Sequence, residues 1–251
     1  FADRAEWLAD DAFVDVPVAR LTSREYIAEL ASRVDRERTL DDLFAYGSVT
    51  PENAQENAGG GTSHLSVVDS SGMAVACTET INLIGGSLVA VPGFGFLMNN
   101  EMDDFTTVPG APNAFGLRQS DRNLPEPGKR PLSSMAPTIV LRDGRVVMVS
   151  GASGGPRIIS GTSQVVLNSL LFEMKPEHGV EAPRVHHQWT PDRLLFEPST
   201  ETRALRRAMR RFGHSVGETA TVGMVQAITV DEDGRKHAAS DPRKGGRPAG
   251  H

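Results

Sequence analysis

The apolar residues of this chain fall into short runs that close on tight turns, and no βαβ rhythm links the runs. Leu65 and Val67 lead into Asp69-Ser70-Ser71-Gly72, and a second apolar run follows at 73–76. Residues 138–141 and 146–149 flank Arg142-Asp143-Gly144-Arg145 in the same way, and a third pair is formed by 222–230 and the residues after Gly234. Each is the pattern of a β-hairpin, a strand pair joined by a turn whose residues tolerate positive φ. Helical spacing separates the hairpins. Ile158, Val165, Val166, Leu170 and Leu171 predict a buried helix over 157–172, and 202–212 reads as an Arg-studded amphipathic helix. Near the N-terminus a helical stretch starts over 5–8 and Pro17 interrupts it. Thr22-Ser23-Arg24-Glu25 then has the spacing of a capping box ahead of Ile27, Leu30, Ala31 and Val34. Hairpins alternating with helices predict antiparallel sheets with helices packed on their faces, an α+β fold.

The text of the sequence changes abruptly at one place. Residues 47–61 are polar and glycine-rich, with almost no apolar content, which suits a flexible connector or a processing site. Residues 108–129, rich in Pro, Gly and Asn, predict a long surface loop, a kind of segment that is usually functional when it is ordered. With 251 residues the chain can bury one substantial core. Its formal charge of −6 argues against a nucleic-acid binder. No apolar run approaches the roughly 18 residues of a membrane-spanning helix. Cys77 is the single cysteine, so neither an intrachain disulfide nor a cysteine-based zinc site can form. The first residue is Phe and no signal peptide precedes it, so the chain is expected to begin partway through a longer protein.

Two constellations can carry chemistry. Gly151-Ala152-Ser153-Gly154-Gly155 matches G-x-S-x-G between a strand and a helix, the setting of a nucleophile elbow. With Asp192 and His186, His187 or His214 downstream, a Ser–Asp–His order can be written. The plainer reading is that these glycines serve close packing and the helix start. Even then a glycine-rich helix N-terminus offers free N–H groups to an anion. The second constellation is 59–66, GGGTSHLS. A threonine between a triglycine and a strand invites comparison with enzymes that cleave themselves before a Thr, Ser or Cys; the freed α-amine then serves as base for the adjoining hydroxyl. Other features have ordinary readings beside functional ones. The acids of 101–104 suit a solvated turn, with Asp103 structural even if Asp104 binds; Ser133-Ser134 suits a cap or turn. His186 and His187 are expected in structural hydrogen bonds, and Trp7 and Trp189 in packing.

Several blocks in register then carry a resemblance: GTSHLSVVDSSGMAVACTETINL from Gly61, NNEMDDF at 99–105, PGAPNAFGL at 109–117, KRPLSSMAPTIV at 129–140, GASGGPRII at 151–159, APRVHHQW at 182–189 and ASDPR at 239–243. Together they resemble the γ-glutamyltranspeptidase family over essentially the whole chain. The resemblance implies an N-terminal-nucleophile hydrolase of the αββα sandwich type. Residues 1–46 are then the end of a large-subunit region, 47–61 a processing linker and 62–251 the small, catalytic subunit. It implies Thr62 as nucleophile, with self-cleavage between Gly61 and Thr62. Thr80 matches the threonine that hydrogen-bonds the nucleophile, and Gly154 and Gly155 match the oxyanion donors. Asn82, Glu101 and Asp104 match the groups that hold a substrate's α-amino end, and Ser133 and Ser134 those that hold its α-carboxylate. Phe115 matches an aromatic lid. His64 is support at best, since the amine serves as base. Ser63 stands where the family most often has threonine.

The implied activity is γ-glutamyl transfer and hydrolysis, from glutathione or other γ-glutamyl amides, to water, an amino acid or a peptide. It runs without metal or organic cofactor. The implied partner is the large subunit of the same precursor, which would supply an arginine for the α-carboxylate, and the implied location is periplasmic or extracellular. Three alternatives stand beside this reading: a cephalosporin or glutaryl acylase on the same scaffold, a serine α/β-hydrolase using Ser153, and an inactive homologue or fragment.

Overall fold

The computed structural model describes residues 1–40 and 61–250. The processing linker, apart from Gly61, lies outside the described residues. Three helices open the chain: α1 (Ala2–Trp7), α2 (Val18–Leu21) and α3 (Arg24–Ser32). The cap of α3 is one residue later than the capping-box spacing predicts. Ser23 Oγ accepts from Tyr26 N at 3.2 Å, while the Thr22 hydroxyl donates back to the Val18 carbonyl at 2.8 Å. Two adjacent hydroxyl residues compete for the cap, and the end of α2 takes Thr22.

All three hairpins form. β1 (Thr62–Val68) pairs with β2 (Ala74–Thr80) antiparallel, with Thr62 opposite Thr80. In their turn Asp69 Oδ1 accepts from the Ser71 and Met73 amides. β3 (Thr138–Arg142) and β4 (Arg145–Ser153) close on Asp143 and Gly144, both at positive φ, 52° and 76°. β8 (Met224–Val230) and β9 (Lys236–Ser240) complete a four-stranded sheet in the order β3-β4-β8-β9. Helix α4 (Arg157–Leu170) packs on β4 and β8, and α5 (Pro176–Glu181) on β8 and β9. The core lies between this sheet and these helices, centred on Met148, Ala152, Ile158, Val165, Val180, Val225 and Ala227. α4 is amphipathic rather than wholly buried, and ends at Leu170; Leu171 and Phe172 face solvent. A third sheet was not legible as strands: β5 (Val185–His186), β6 (Leu194–Phe196) and β7 (Val216–Glu218), of which β6 and β7 run parallel. Helix α6 (Arg203–Arg211) matches the expected Arg-studded segment and buries no residue.

The hairpin β1–β2 lies on the other face of the four-stranded sheet, so three layers of a sandwich, hairpin, sheet and helices, are present. Where hairpin and sheet meet, His64 lies against Gly151. A Cβ on Gly151 would sit 2.3 Å from the His64 ring, so only glycine lets the imidazole lie flat on β4. The apolar side chains Leu65, Val67 and Val75 are about half exposed, as is Phe96 of the following loop, while Phe94 and Leu88 of that loop are mostly exposed.

Residues 108–129 match the surface loop that their composition predicts mainly near their ends, 108–110 and 125–128, which are exposed; most of the middle is not at the surface. Phe115, Leu117, Arg118, Gln119 and Asn123 are buried. The segment satisfies its polar groups internally: Asn123 Nδ2 donates to the Asp104 carbonyl at 2.7 Å and to Gln119 Oε1 at 2.7 Å. Pro and Gly mark irregular backbone, but irregular backbone can be buried wherever side chains meet its hydrogen bonds.

Candidate active site

Thr62 is the first residue of β1, and its buried hydroxyl lies 2.8 Å from Thr80 Oγ1 across the hairpin. Gly61 just before it is held on both sides: its amide donates to the Asn82 carbonyl at 2.8 Å and its carbonyl accepts from Ile81 N at 3.0 Å. A side chain at position 61 would strike the Leu83 carbonyl at 2.4 Å, so glycine is required there by space alone. The chain leaves β2 through Asn82, whose φ of 70° turns it across the mouth of the hairpin. Asn82 N donates to Thr80 Oγ1 at 2.8 Å, so Thr80 has an amide donor on one side and the Thr62 hydroxyl on the other. Asn82 Nδ2 donates to the Asn100 carbonyl, which leaves the amide oxygen for another donor.

The short 3-10 turn Glu101–Asp104 brings two carboxylates to this corner. Both are shifted upward. Burial raises Glu101, a hydrogen bond with Thr80 opposes that, and Asp103 adds repulsion. Burial lifts Asp104 to about 7, Glu101 adds to the shift, and the Arg4 guanidinium opposes it. Among the described residues Glu101 Oε1 is a buried acceptor with no hydrogen-bond partner. Such an acceptor costs roughly 1–3 kcal/mol unless a donor reaches it. Two acids that repel each other with one open acceptor suit an ammonium group.

Thr62, Thr80, Asn82, Glu101, Asp104, Phe115, Ser133, Ser134, Met135, Gly155 and Ile158 line one small cavity. Ser134 is buried and accepts from Arg4 at 3.0 Å, whereas Ser133 is exposed and accepts from Met135 N at 3.0 Å. Gly154 and Gly155 stand at φ 131° and 58° just ahead of α4. Gly155 reaches the cavity wall, while Gly154 lies against Gly223. The Phe115 ring covers Gly155 so closely that a Cβ there would fall 2.7 Å from it. Its backbone is fixed by Asn113 Oδ1, which accepts from Phe115 N, and by Gln188, which donates to the Phe115 carbonyl. Under the ring the cavity is about 20 Å³. That is about one water's worth of space.

The Ser–Asp–His order written from sequence is not assembled. Ser153 Oγ is buried against Lys244 Nζ at 2.9 Å. His186 is engaged by Ser160 and Gln188, and His187 by Asp192. His64, between Thr78 Oγ1 and Ser66 Oγ, is held near 4 by burial and is therefore neutral. Among the described residues no cluster of three metal-ligating side chains forms. Trp189 is buried, and Trp7 lies between the guanidinium groups of Arg20 and Arg122. Sequence reasoning missed Arg4 and Lys244. Lys244 Nζ donates to the Thr62 carbonyl at 2.6 Å, and no local pattern brings positions 182 residues apart together.

The γ-glutamyltranspeptidase family model matches residues 1–251. The chain belongs to the γ-glutamyltranspeptidase family. It is 40% identical over 244 residues to the glutathione hydrolase proenzyme of Escherichia coli K12, covering 97% of this chain and 41% of that protein. The chain thus spans about two fifths of the length of the curated relatives it matches. The γ-glutamyltranspeptidase of Pseudomonas nitroreducens in complex with L-DON superposes with a TM-score of 0.69 at 44% identity, covering 75% of this chain and 97% of that one. The cephalosporin acylase of Bacillus halodurans shares the fold, with a TM-score of 0.76 over 97% of this chain and 41% of that one, at 24% identity. The architecture of this family member is the N-terminal-nucleophile hydrolase fold, with antiparallel sheets at its centre.

Proposed function

We propose that this chain is the catalytic portion of an enzyme that transfers or hydrolyses γ-glutamyl groups, as glutathione hydrolases do, after cleavage between Gly61 and Thr62. The observation that carries the reading is the convergence of Thr62, Thr80, Glu101, Asp104 and Ser134 on one cavity, with Glu101 Oε1 buried and open to a donor. In the precursor, the Thr62 hydroxyl attacks the Gly61 carbonyl, whose oxygen the Ile81 amide polarises; the Gly61–Thr62 C–N bond breaks as the hydroxyl proton passes to the Thr62 nitrogen, leaving an ester. Hydrolysis of that ester restores the Thr62 hydroxyl beside the freed α-amine. Free α-amines titrate near ~8, a value suited to taking and returning a proton at neutral pH.

In turnover Thr62 Oγ1 adds to the γ-carbonyl carbon of the substrate, and the α-amine takes the hydroxyl proton. The tetrahedral oxyanion points to the N–H groups at Gly154 and Gly155; one such donor contributes about 3 kcal/mol in comparable sites. The carbon–nitrogen bond then breaks, the proton passes to the leaving amine, and a γ-glutamyl-threonine ester remains. Water or an acceptor amine attacks the ester and restores the hydroxyl. Asn82, Glu101 and Asp104 hold the substrate ammonium, Ser133 and Ser134 its α-carboxylate, and Phe115 closes over the acyl group. The remaining three fifths of the relatives' length corresponds to a large subunit, and the half-exposed apolar side chains of Leu65, Val67 and Val75 are where it would pack.

The deciding experiment uses the complete protein. The wild type should give two masses that break at Gly61–Thr62 and should release amine from a γ-glutamyl anilide. Thr62→Ala should give one mass and no turnover, and Ser153→Ala should keep both activities. Cleavage and turnover that survive Thr62→Ala would overturn the assignment. Preference for glutaryl over γ-glutamyl amides would instead favour an acylase, because a glutaryl group has no ammonium for Glu101 and Asp104.

A further inference from the structure

Arg4 lies on α1, 130 positions before Ser134, yet its guanidinium reaches the far wall of the cavity. Arg4 Nη2 donates to Ser134 Oγ at 3.0 Å and to the Leu132 carbonyl at 3.3 Å, and the side chain is buried. It does not itself line the cavity. A serine hydroxyl has one proton and two lone pairs. With a lone pair filled by Arg4, the Ser134 proton is free to be directed at an acceptor in the cavity. The charged groups that act on Asp104 are Glu101 and Asp103 of its own turn and Arg4 of α1, and Asn113 Nδ2 donates to it at 3.3 Å. Arg4 is the one cation in that set. Although burial brings the guanidinium down to about 10, it stays charged at neutral pH.

We infer that Arg4 is a positioning residue for ligand recognition: it aims the Ser134 hydroxyl at a ligand carboxylate, with its charge in electrostatic reach of Asp104. This rests on the reading of the cavity as a γ-glutamyl site. It also makes that site depend on a residue from the far side of the 61–62 junction. A plain fastening role for Arg4 is already served by other contacts of the same segment. Ser120 N donates to the Ala5 carbonyl at 2.8 Å, Ser120 Oγ to the Glu6 carbonyl at 2.9 Å, and Tyr26 Oη to Asp3 at 2.6 Å.

The test is steady-state hydrolysis of a γ-glutamyl anilide by the complete protein across pH 5.5 to 9. Arg4→Met and Arg4→Lys are compared with wild type, each with and without Ser134→Ala. Arg4→Met should raise KM about tenfold or more, with kcat changed less than about threefold. It should also move the acid limb of kcat/KM upward by about one pH unit, because a charge that favours ionised Asp104 has gone. Arg4→Lys should leave the limb in place and recover part of the KM loss. Adding Ser134→Ala to Arg4→Met should cost less than the product of the two single effects.

An unmoved limb with unchanged KM in Arg4→Met overturns the inference, as does simple multiplication with Ser134→Ala. Should Arg4→Met yield no soluble protein, Arg4→Lys alone decides: a raised KM that Ser134→Ala does not further multiply supports the inference, and a wild-type KM refutes it. A wild type with no turnover would instead overturn the reading of the site itself, and is thereby distinguished from an active wild type that is indifferent to Arg4.

Discussion

Asp104 is lifted to about 7 by burial and by Glu101 beside it. In the proposed reading the charged form receives an ammonium, so affinity for γ-glutamyl substrates is expected to fall as pH drops below about 7, visible as a rising KM on the acid side. The same shift has a stability consequence of opposite sense. A carboxyl raised in the folded state binds a proton that the unfolded chain has already lost, so its contribution is present below the ordinary carboxylate range and is lost as pH rises through about 7. Asp104→Asn should therefore abolish high-affinity binding yet raise Tm at pH 8 by a few degrees, with little gain at pH 4; a lower Tm at pH 8 would refute this. Thr80→Val removes the hydroxyl that faces Thr62 at 2.8 Å. It should cut kcat by about tenfold, the scale of one hydrogen bond, with Tm within a few degrees of wild type.

Between elements, one close clearance at the cavity is where the turn before α4 passes under Phe115. Gly155→Ala adds a methyl at φ 58°, 2.7 Å from the Phe115 ring. The expected outcome is displacement of that ring and a loss of kcat of about a hundredfold or more, while the helix start itself survives; an anilide assay with a circular-dichroism check tests it. Elements of this kind were legible in sequence to the extent that their signals are local. Asp143-Gly144 gave away the β3–β4 hairpin because positive φ at two adjacent positions demands such residues. The Gly151–Gly155 run likewise marked a strand-to-helix turn that offers N–H groups, though not what Ser153 would touch. β5, β6 and β7 were not legible, since strands of two or three residues show no period, and the parallel pairing of β6 with β7 depends on chain folding far outside either segment. The middle of the loop over 108–129 was misread for a physical reason. Its side-chain amides, Gln119 and Asn123, look like solvent-facing residues until their carbonyl partners are known.

Across the whole molecule, polar contacts tie the two ends of the sequence to its middle. Arg184 and Asp241 form a fully buried pair at 2.6 Å, and Asp241 also accepts from Val225 N at 2.8 Å and from Arg243 at 3.0 Å. Replacing Asp241 by Asn leaves a buried guanidinium short of its counter-charge, and should lower stability by about 3 kcal/mol or more, measured as a reduced denaturant midpoint in the complete protein. Neither this pair nor the reach of Arg4 to Ser134 could be seen in the sequence, because charge pairing over such separations leaves no periodic trace. The grip of Lys244 on the Thr62 carbonyl, across 182 residues, carries a consequence for timing. A ribosome finishes β1 long before it makes that lysine. The strand that begins with Thr62 must wait, unclasped, until the residues up to Lys244 have been made, so any bond rearrangement that needs the clasp comes after their synthesis.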